Sequence, residues 1–168
     1  MFFVFFRQNL LGKEKTMPLM RMIYGDSVSE LVKQIADCNS RLPEDKRRYG
    51  GYLCVFGADQ DPTEPPLAVI RVGDPIKERV GKYFEFCQEK TRRLLAHPEH
   101  LSSWQTRDVD KEQYGGAIRA SDFVLGFSGH TELGDEAILV NACITLGMLS
   151  GSTAAAIASF SGNELIVT

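Results

Sequence analysis

The chain has 168 residues, 43% of them hydrophobic and 24% charged, with a formal net charge of −3. That length suits one domain able to bury a real core, and the balance lacks the basic footprint of a nucleic-acid binder. No run approaches the roughly 18–20 apolar residues of a membrane span, so no membrane partner is expected.

The first stretch, MFFVFFRQNLLGKEKTMPLM, has an apolar run, FFVFF, only five residues long before Arg7. It lacks the basic region, the long apolar run and the cleavage site of a signal peptide. Three readings stay open for it: a frayed extension, an extra strand or helix, or a true start at Met17 or Met20. The first clear helix follows Asp26, where Ser27-x-x-Glu30 forms a capping box. Val28, Leu31, Val32, Ile35 and Cys38 then share one face at helical spacing. RLPEDKRRYGG (41–51) breaks that helix with Pro and Gly.

GYLCVFGA (51–58) reads as a strand, DQDPTEPP (59–66) as a turn-rich loop, and PLAVIRVGD (66–74) as a second strand. The short connection favours an antiparallel hairpin. Asp74-Pro75 opens the longest helix, with Asp as N-cap and Pro at its first position. Ile76, Val80, Tyr83, Phe84, Cys87 and Leu94 form its apolar stripe, Glu78–Lys82 and Glu89–Arg93 are outward i,i+4 pairs, and Pro98 ends it. The segment 97–113 is a polar loop with room for a helical turn. YGGAIRA (114–120) and DFVLGFSG (122–129) make another hairpin. A last long helix starts near Thr131, buries Leu133, Ala137, Val140 and Ile144, and stops at Gly151. The Ala- and Ser-rich tail ends in a short β-like run. The order α-β-β-α-β-β-α is not that of a parallel sheet; it predicts an α+β fold, an antiparallel β-sheet flanked by helices.

Cys38, Cys54, Cys87 and Cys143 lie far apart in sequence and in apolar contexts, with no metal-binding spacing. They read as small core hydrophobes in a reduced, cytoplasmic protein. The basic clusters DKRRYGG (45–51) and EKTRRLL (89–95) read as a solvated loop and a solvated helix face. His97 and His100, in H-P-E-H, read as helix-end histidines facing water rather than a chelating pair, and no metal site is predicted.

The densest group of chemical side chains is FSGHTELGDEA (127–137). One reading is a helix start: Thr131 as N-cap, Glu132 and Asp135 in the first turn against the helix dipole, Ser128-Gly129 as a tight entry turn. The other is a polar pocket in which His130, Glu132 and Asp135 offer an imidazole and two carboxylates. Phosphate-loop, dinucleotide and nucleophile-elbow signatures are missing.

YGGAIRASDFVLGFSGHTELGDEAILVNA (114–142) resembles the closing motif of the GlcG/HbpS-like, or haem-degrading domain, family: Gly115-Gly116, a strand through Val124-Leu125-Gly126-Phe127-Ser128-Gly129, then Asp135-Glu136-Ala137 opening the last helix. Pro66 to Asp74 resembles that family's strand ending in an arginine and a Gly-containing turn before a helix, and Lys90-Thr91 resembles the position of a lysine in that helix. The loop before Gly115 and Ala117 depart from the pattern. The resemblance implies a profilin-like or PAS-like three-layer arrangement, divided as an N-terminal extension (1–24), the domain (25–151) and a tail (152–168). It implies a small-ligand-binding or sensory protein that forms homo-oligomers, with haem or another tetrapyrrole among its candidate ligands. Its implied ligand-binding residues are Lys90, Gly115, Gly116, Ser128, Gly129, His130, Glu132 and Asp135, and Tyr83, Phe84 and Phe86 are candidates for an assembly face. Two alternatives stay open: an enzyme acting on a tetrapyrrole or small organic acid through His130 with Asp135 or Glu136 as acid–base groups, and a scaffold that only assembles.

Overall fold

The computed structural model describes residues 26–167; the N-terminal segment lies outside the described residues. Helix α1 covers Asp26–Ser40, strands β1 and β2 cover Tyr49–Gly57 and Ala68–Asp74, and helix α2 covers Val80–Leu95. Strands β3 (Ala117–Ala120) and β4 (Phe123–Ser128) follow, then helices α3 (Glu132–Thr145) and α4 (Gly151–Ser161). The strands form one sheet in the order β2-β1-β4-β3, and every neighbouring pair is antiparallel. The fold is α+β, as the element order predicts.

Alternation along the strands builds a core on each face. Leu53 and Val55 of β1, and Phe123, Leu125 and Phe127 of β4, pack with residues of α1, α3 and α4. Cys54, Phe56 and Val124 point the other way, against Cys87, Leu94 and Leu95 of α2. The result is three layers: α2, the sheet, and α1 with α3 and α4.

Both predicted hairpins form, and Thr131 does cap α3, its hydroxyl accepting from the Gly134 N–H at 3.2 Å. Several local readings need correction. Val32 is 45% exposed rather than on the buried face of α1. Asp74 does not cap a helix: it is the last ladder residue of β2, opposite Tyr49, and takes Arg71 as its partner at 3.0 Å. A 3-10 turn at Lys77–Arg79 intervenes, so α2 starts at Val80. Glu78 therefore lies outside the helix and makes no ion pair with Lys82 among the described residues, whereas Glu89–Arg93 forms at 2.7 Å. Tyr83 belongs to the core, while Phe84 is 42% exposed. The cluster 89–95 is not a solvated face: Lys90 and Thr91 are buried.

At the other end, Gly151 does not stop α3. The chain leaves that helix at Gly147, in the left-handed region at φ 69°, and Gly151 instead follows Ser150, the N-cap of α4, whose hydroxyl accepts from the Thr153 N–H. Ala154 and Ile157 of α4 are buried in the larger core. The final β-like run forms no strand over 162–167.

Candidate functional site

The strand-to-helix junction is a buried polar network, and its centre is an ion pair. Lys90, from the middle of α2, reaches past the sheet to place its Nζ 2.9 Å from Asp135 Oδ2, with both side chains almost fully buried. The same ammonium donates to the Phe127 carbonyl at 2.9 Å. Asp135 Oδ1 accepts from the backbone N–H groups of Gly129 and His130, at 3.1 and 2.8 Å. The carboxylate thus closes the turn between β4 and α3 while Lys90 ties that turn to the opposite layer. Burial pushes the Asp135 carboxyl above the ordinary aspartate range; Lys90 and the two N–H groups oppose it.

The glycines of this junction are there for close approach. Gly116 has φ 100°, and a Cβ on it would stand 2.6 Å from Asp135 Cβ and 2.8 Å from Lys90 Nζ. The chain therefore runs directly over the ion pair and seals it. Gly129 lets its turn lie against Gly50 and Gly51 of β1, where a Cβ would come within 2.3 Å of the Gly50 carbonyl oxygen.

His130 is fully committed. The Thr131 N–H donates to its Nδ1 at 3.0 Å, which puts the ring proton on Nε2, 2.9 Å from the Asn39 side-chain oxygen. Asn39 in turn bonds both the N–H and the carbonyl of Arg48, so the histidine links α3 to the loop after α1. Burial, aided by the Arg48 charge, lowers its pKa to about 4, and the ring is neutral at neutral pH.

The two glutamates have separate partners. Glu132 receives Arg107 in a two-pronged pair, Nε and Nη2 at 2.8 and 2.7 Å, and the Gly115 N–H at 3.0 Å. Burial opposes its ionisation, but the Arg107 hydrogen bonds, the Gly115 N–H and the nearby cations hold its carboxyl below the ordinary range. Glu136 is fully buried. It accepts from Ser102 at 2.7 Å, from Ser161, and from Asn163 at 3.2 Å.

Every residue that the sequence singles out here is thus brought to one junction: Lys90, Gly115, Gly116, Gly129, His130, Glu132 and Asp135 in contact with one another or one residue removed, and Ser128 buried as the last residue of β4. Sequence reasoning missed Asn39, Arg107, Ser102 and Asn163, which arrive from 25 to 91 positions away in the chain. Only Ser102 carried a readable sign: it forms a capping box with Gln105.

An open cleft of about 550 Å³ runs along α1 and the loop into β1, lined by Val32, Ile35, Ala36, Asn39, Ser40, Arg47 and Tyr49, and it meets the junction only at Asn39, the partner of His130. A second, of about 270 Å³, lies between α1 and the end of α3. The chain matches no family model, no curated protein and no solved structure. Among the described residues no helix is long and apolar enough to cross a membrane.

The donor set does not fit haem held through His130. Its Nδ1 already accepts a backbone hydrogen bond and its Nε2 proton is engaged by Asn39, so axial ligation through Nε2 would cost both hydrogen bonds and untie the histidine from Asn39.

Proposed function

We propose that the protein is a non-enzymatic small-ligand-binding module of the GlcG/HbpS-like kind, acting in a reducing cytoplasm, and that it takes an apolar molecule bearing an anionic group in the cleft along α1. The observation that carries this reading is the composition of that cleft. Val32, Ile35 and Ala36 offer an apolar wall on α1, and Tyr49, 64% exposed, offers a ring face on the other side. Arg47 supplies a cation at the rim. Its Nε is used on the Leu42 carbonyl, and its terminal nitrogens have no partner among the described residues. One apolar wall, one aromatic face and one convergent charge are what a small amphiphilic anion needs. Exposed Phe84 and Phe160 are the surfaces that suit self-association, the second element of the reading.

His130, Asp135 and Glu136 enter this reading as structure, because each is saturated with hydrogen bonds inside the protein. The test titrates the full chain with anilinonaphthalene sulfonate, an aromatic anion, and separately with haemin. Saturable one-to-one binding of the sulfonate to the folded protein is expected, weakened at least tenfold in Arg47→Glu with the melting temperature unchanged. Binding that ignores Arg47→Glu, or no binding, overturns the proposal. So does a haemin Soret band that disappears in His130→Ala, which would move the ligand to the β4–α3 junction.

A further inference from the structure

The segment after α2 carries a second cluster of chemical side chains that the junction does not use. His97, Glu99 and His100 place one ligand atom each within 4.8 Å of one another. Glu99 Oε1 stands 3.4 Å from His97 Nδ1 and 3.4 Å from His100 Nε2. The two imidazoles are stacked, with centroids 5.0 Å apart and planes 18° from parallel. Ligand atoms about 2.0–2.1 Å from a tetrahedral zinc ion stand about 3.3–3.4 Å from each other. Two of the three edges of such a site are therefore already at their coordinated length.

The backbone that presents these side chains is clamped from behind. Arg119 of β3 donates its Nε to the His100 carbonyl at 2.9 Å, and its Nη2 to the carbonyls of Leu94, His97 and, more distantly, Leu95, at 2.9, 3.1 and 3.4 Å. The His100 N–H closes the turn on the His97 carbonyl at 3.0 Å, and Pro98 fixes one dihedral within it. Because Arg119 holds carbonyls rather than side chains, the three ligands stay free to face solvent: the side chains are 43%, 62% and 22% exposed for His97, Glu99 and His100. Preorganised backbone with accessible ligand atoms lowers the cost of binding an ion.

We propose that His97, Glu99 and His100 form a binding site for a borderline divalent cation of the zinc class, with three protein ligands and one position open to solvent. Two imidazoles and a carboxylate are the donor set of open zinc sites, whereas calcium and magnesium want oxygen alone. One feature limits its strength. Ligation through Nε2 leaves the proton of His100 on Nδ1, which is buried and has no partner among the described residues. Metal-bound histidines ordinarily donate that proton, and the lack of an acceptor weakens binding by roughly ten- to a hundredfold. A dissociation constant on the order of micromolar is therefore expected rather than nanomolar.

The chain has three histidines, and the third, His130, is engaged in the junction, so substitution separates the site cleanly. The experiment titrates chelator-treated full-length protein with zinc chloride by calorimetry, and with cobalt(II) by visible absorption. One ion per chain is expected, with a cobalt spectrum of tetrahedral intensity and no thiolate charge-transfer band. His97→Ala and His100→Ala should each weaken zinc at least tenfold, and Glu99→Gln, on an exposed side chain, should weaken it without moving the melting temperature of the metal-free protein. No binding, binding retained in the His97→Ala/His100→Ala double variant, or a thiolate band placing the ion on cysteine would each overturn the proposal.

Discussion

Lys90 is the residue on which most of the junction depends. An ammonium inside a protein is held there only by full compensation, and here one carboxylate and one carbonyl provide it. Lys90→Met would leave the Asp135 carboxylate buried with two backbone donors and no cation. A loss of about 3–5 kcal/mol in urea unfolding is expected. Asp135→Asn should cost a similar amount, and the double variant Lys90→Met/Asp135→Asn less than the two single losses added, with a coupling of about 1–3 kcal/mol. Strict additivity would mean that each residue is held by its backbone contacts alone. The sequence disclosed only part of this. Thr131, Asp135 and their glycine turn sit within one short stretch and follow local capping rules, so they were readable. Lys90 entered through the family resemblance alone, because a lysine between Glu89 and Arg93 looks like any other member of a charged helix face. What buries it is contact with β4 and α3, 37 and 45 positions away. The same holds for His130, whose role is set by Asn39, 91 residues distant.

At the scale of elements, strands and their hairpins were legible because alternation and turn residues are local properties. Helix ends were less so. Asp74-Pro75 has the form of a helix start, but pairing of β2 with β1 extends through Asp74, and sheet hydrogen bonds outcompete a cap. Helix α4 was missed because its Ala- and Ser-rich sequence has little amphipathic contrast to reveal a buried face. Its attachment is nevertheless specific: Ala154 and Ile157 enter the core, and Ser161 with Asn163 completes the hydrogen bonding of buried Glu136. Asn163 also donates to the Leu133 carbonyl at 2.8 Å. Ile157→Ala therefore tests whether α4 belongs to the cooperative unit. Followed by the fluorescence of Trp104, the one tryptophan, urea unfolding should lose about 2–4 kcal/mol. Trp104 lies next to Ser102, which also bonds Glu136, so it reports the junction rather than α4 itself. An unmoved midpoint would show α4 to be a loosely docked appendage.

At the scale of the whole molecule the question is whether the three layers open together. The four thiols answer it, because two lie on each side of the sheet. Cys54 and Cys87 share the core beneath α2, and Cys38 and Cys143 share the one beneath α1 and α3. All are free and buried. Burial pushes Cys38 up to about 11 and Cys143 up to about 12, and raises Cys87, beside Cys54, well above the usual thiol range. Almost none of Cys38, Cys87 or Cys143 is thiolate at mild pH, and the thiolate is the reacting form; Cys54 is shielded by complete burial. A disulfide reagent should thus leave the native protein essentially unlabelled and modify four thiols in concentrated guanidinium. In native buffer, labelling should proceed only through opening. Each strand of the central pair contributes side chains to both cores, Leu53 and Val55 to one and Cys54 and Phe56 to the other, so α2 cannot leave without uncovering the backs of the residues that hold the opposite layer. The Lys90–Asp135 pair adds a polar tie between the two helical layers. One opening rate for all four thiols is therefore expected, resolved by mass spectrometry of the modified peptides. Faster modification of Cys54 and Cys87 would show that the smaller core opens alone, and that the buried ion pair breaks before the sheet does.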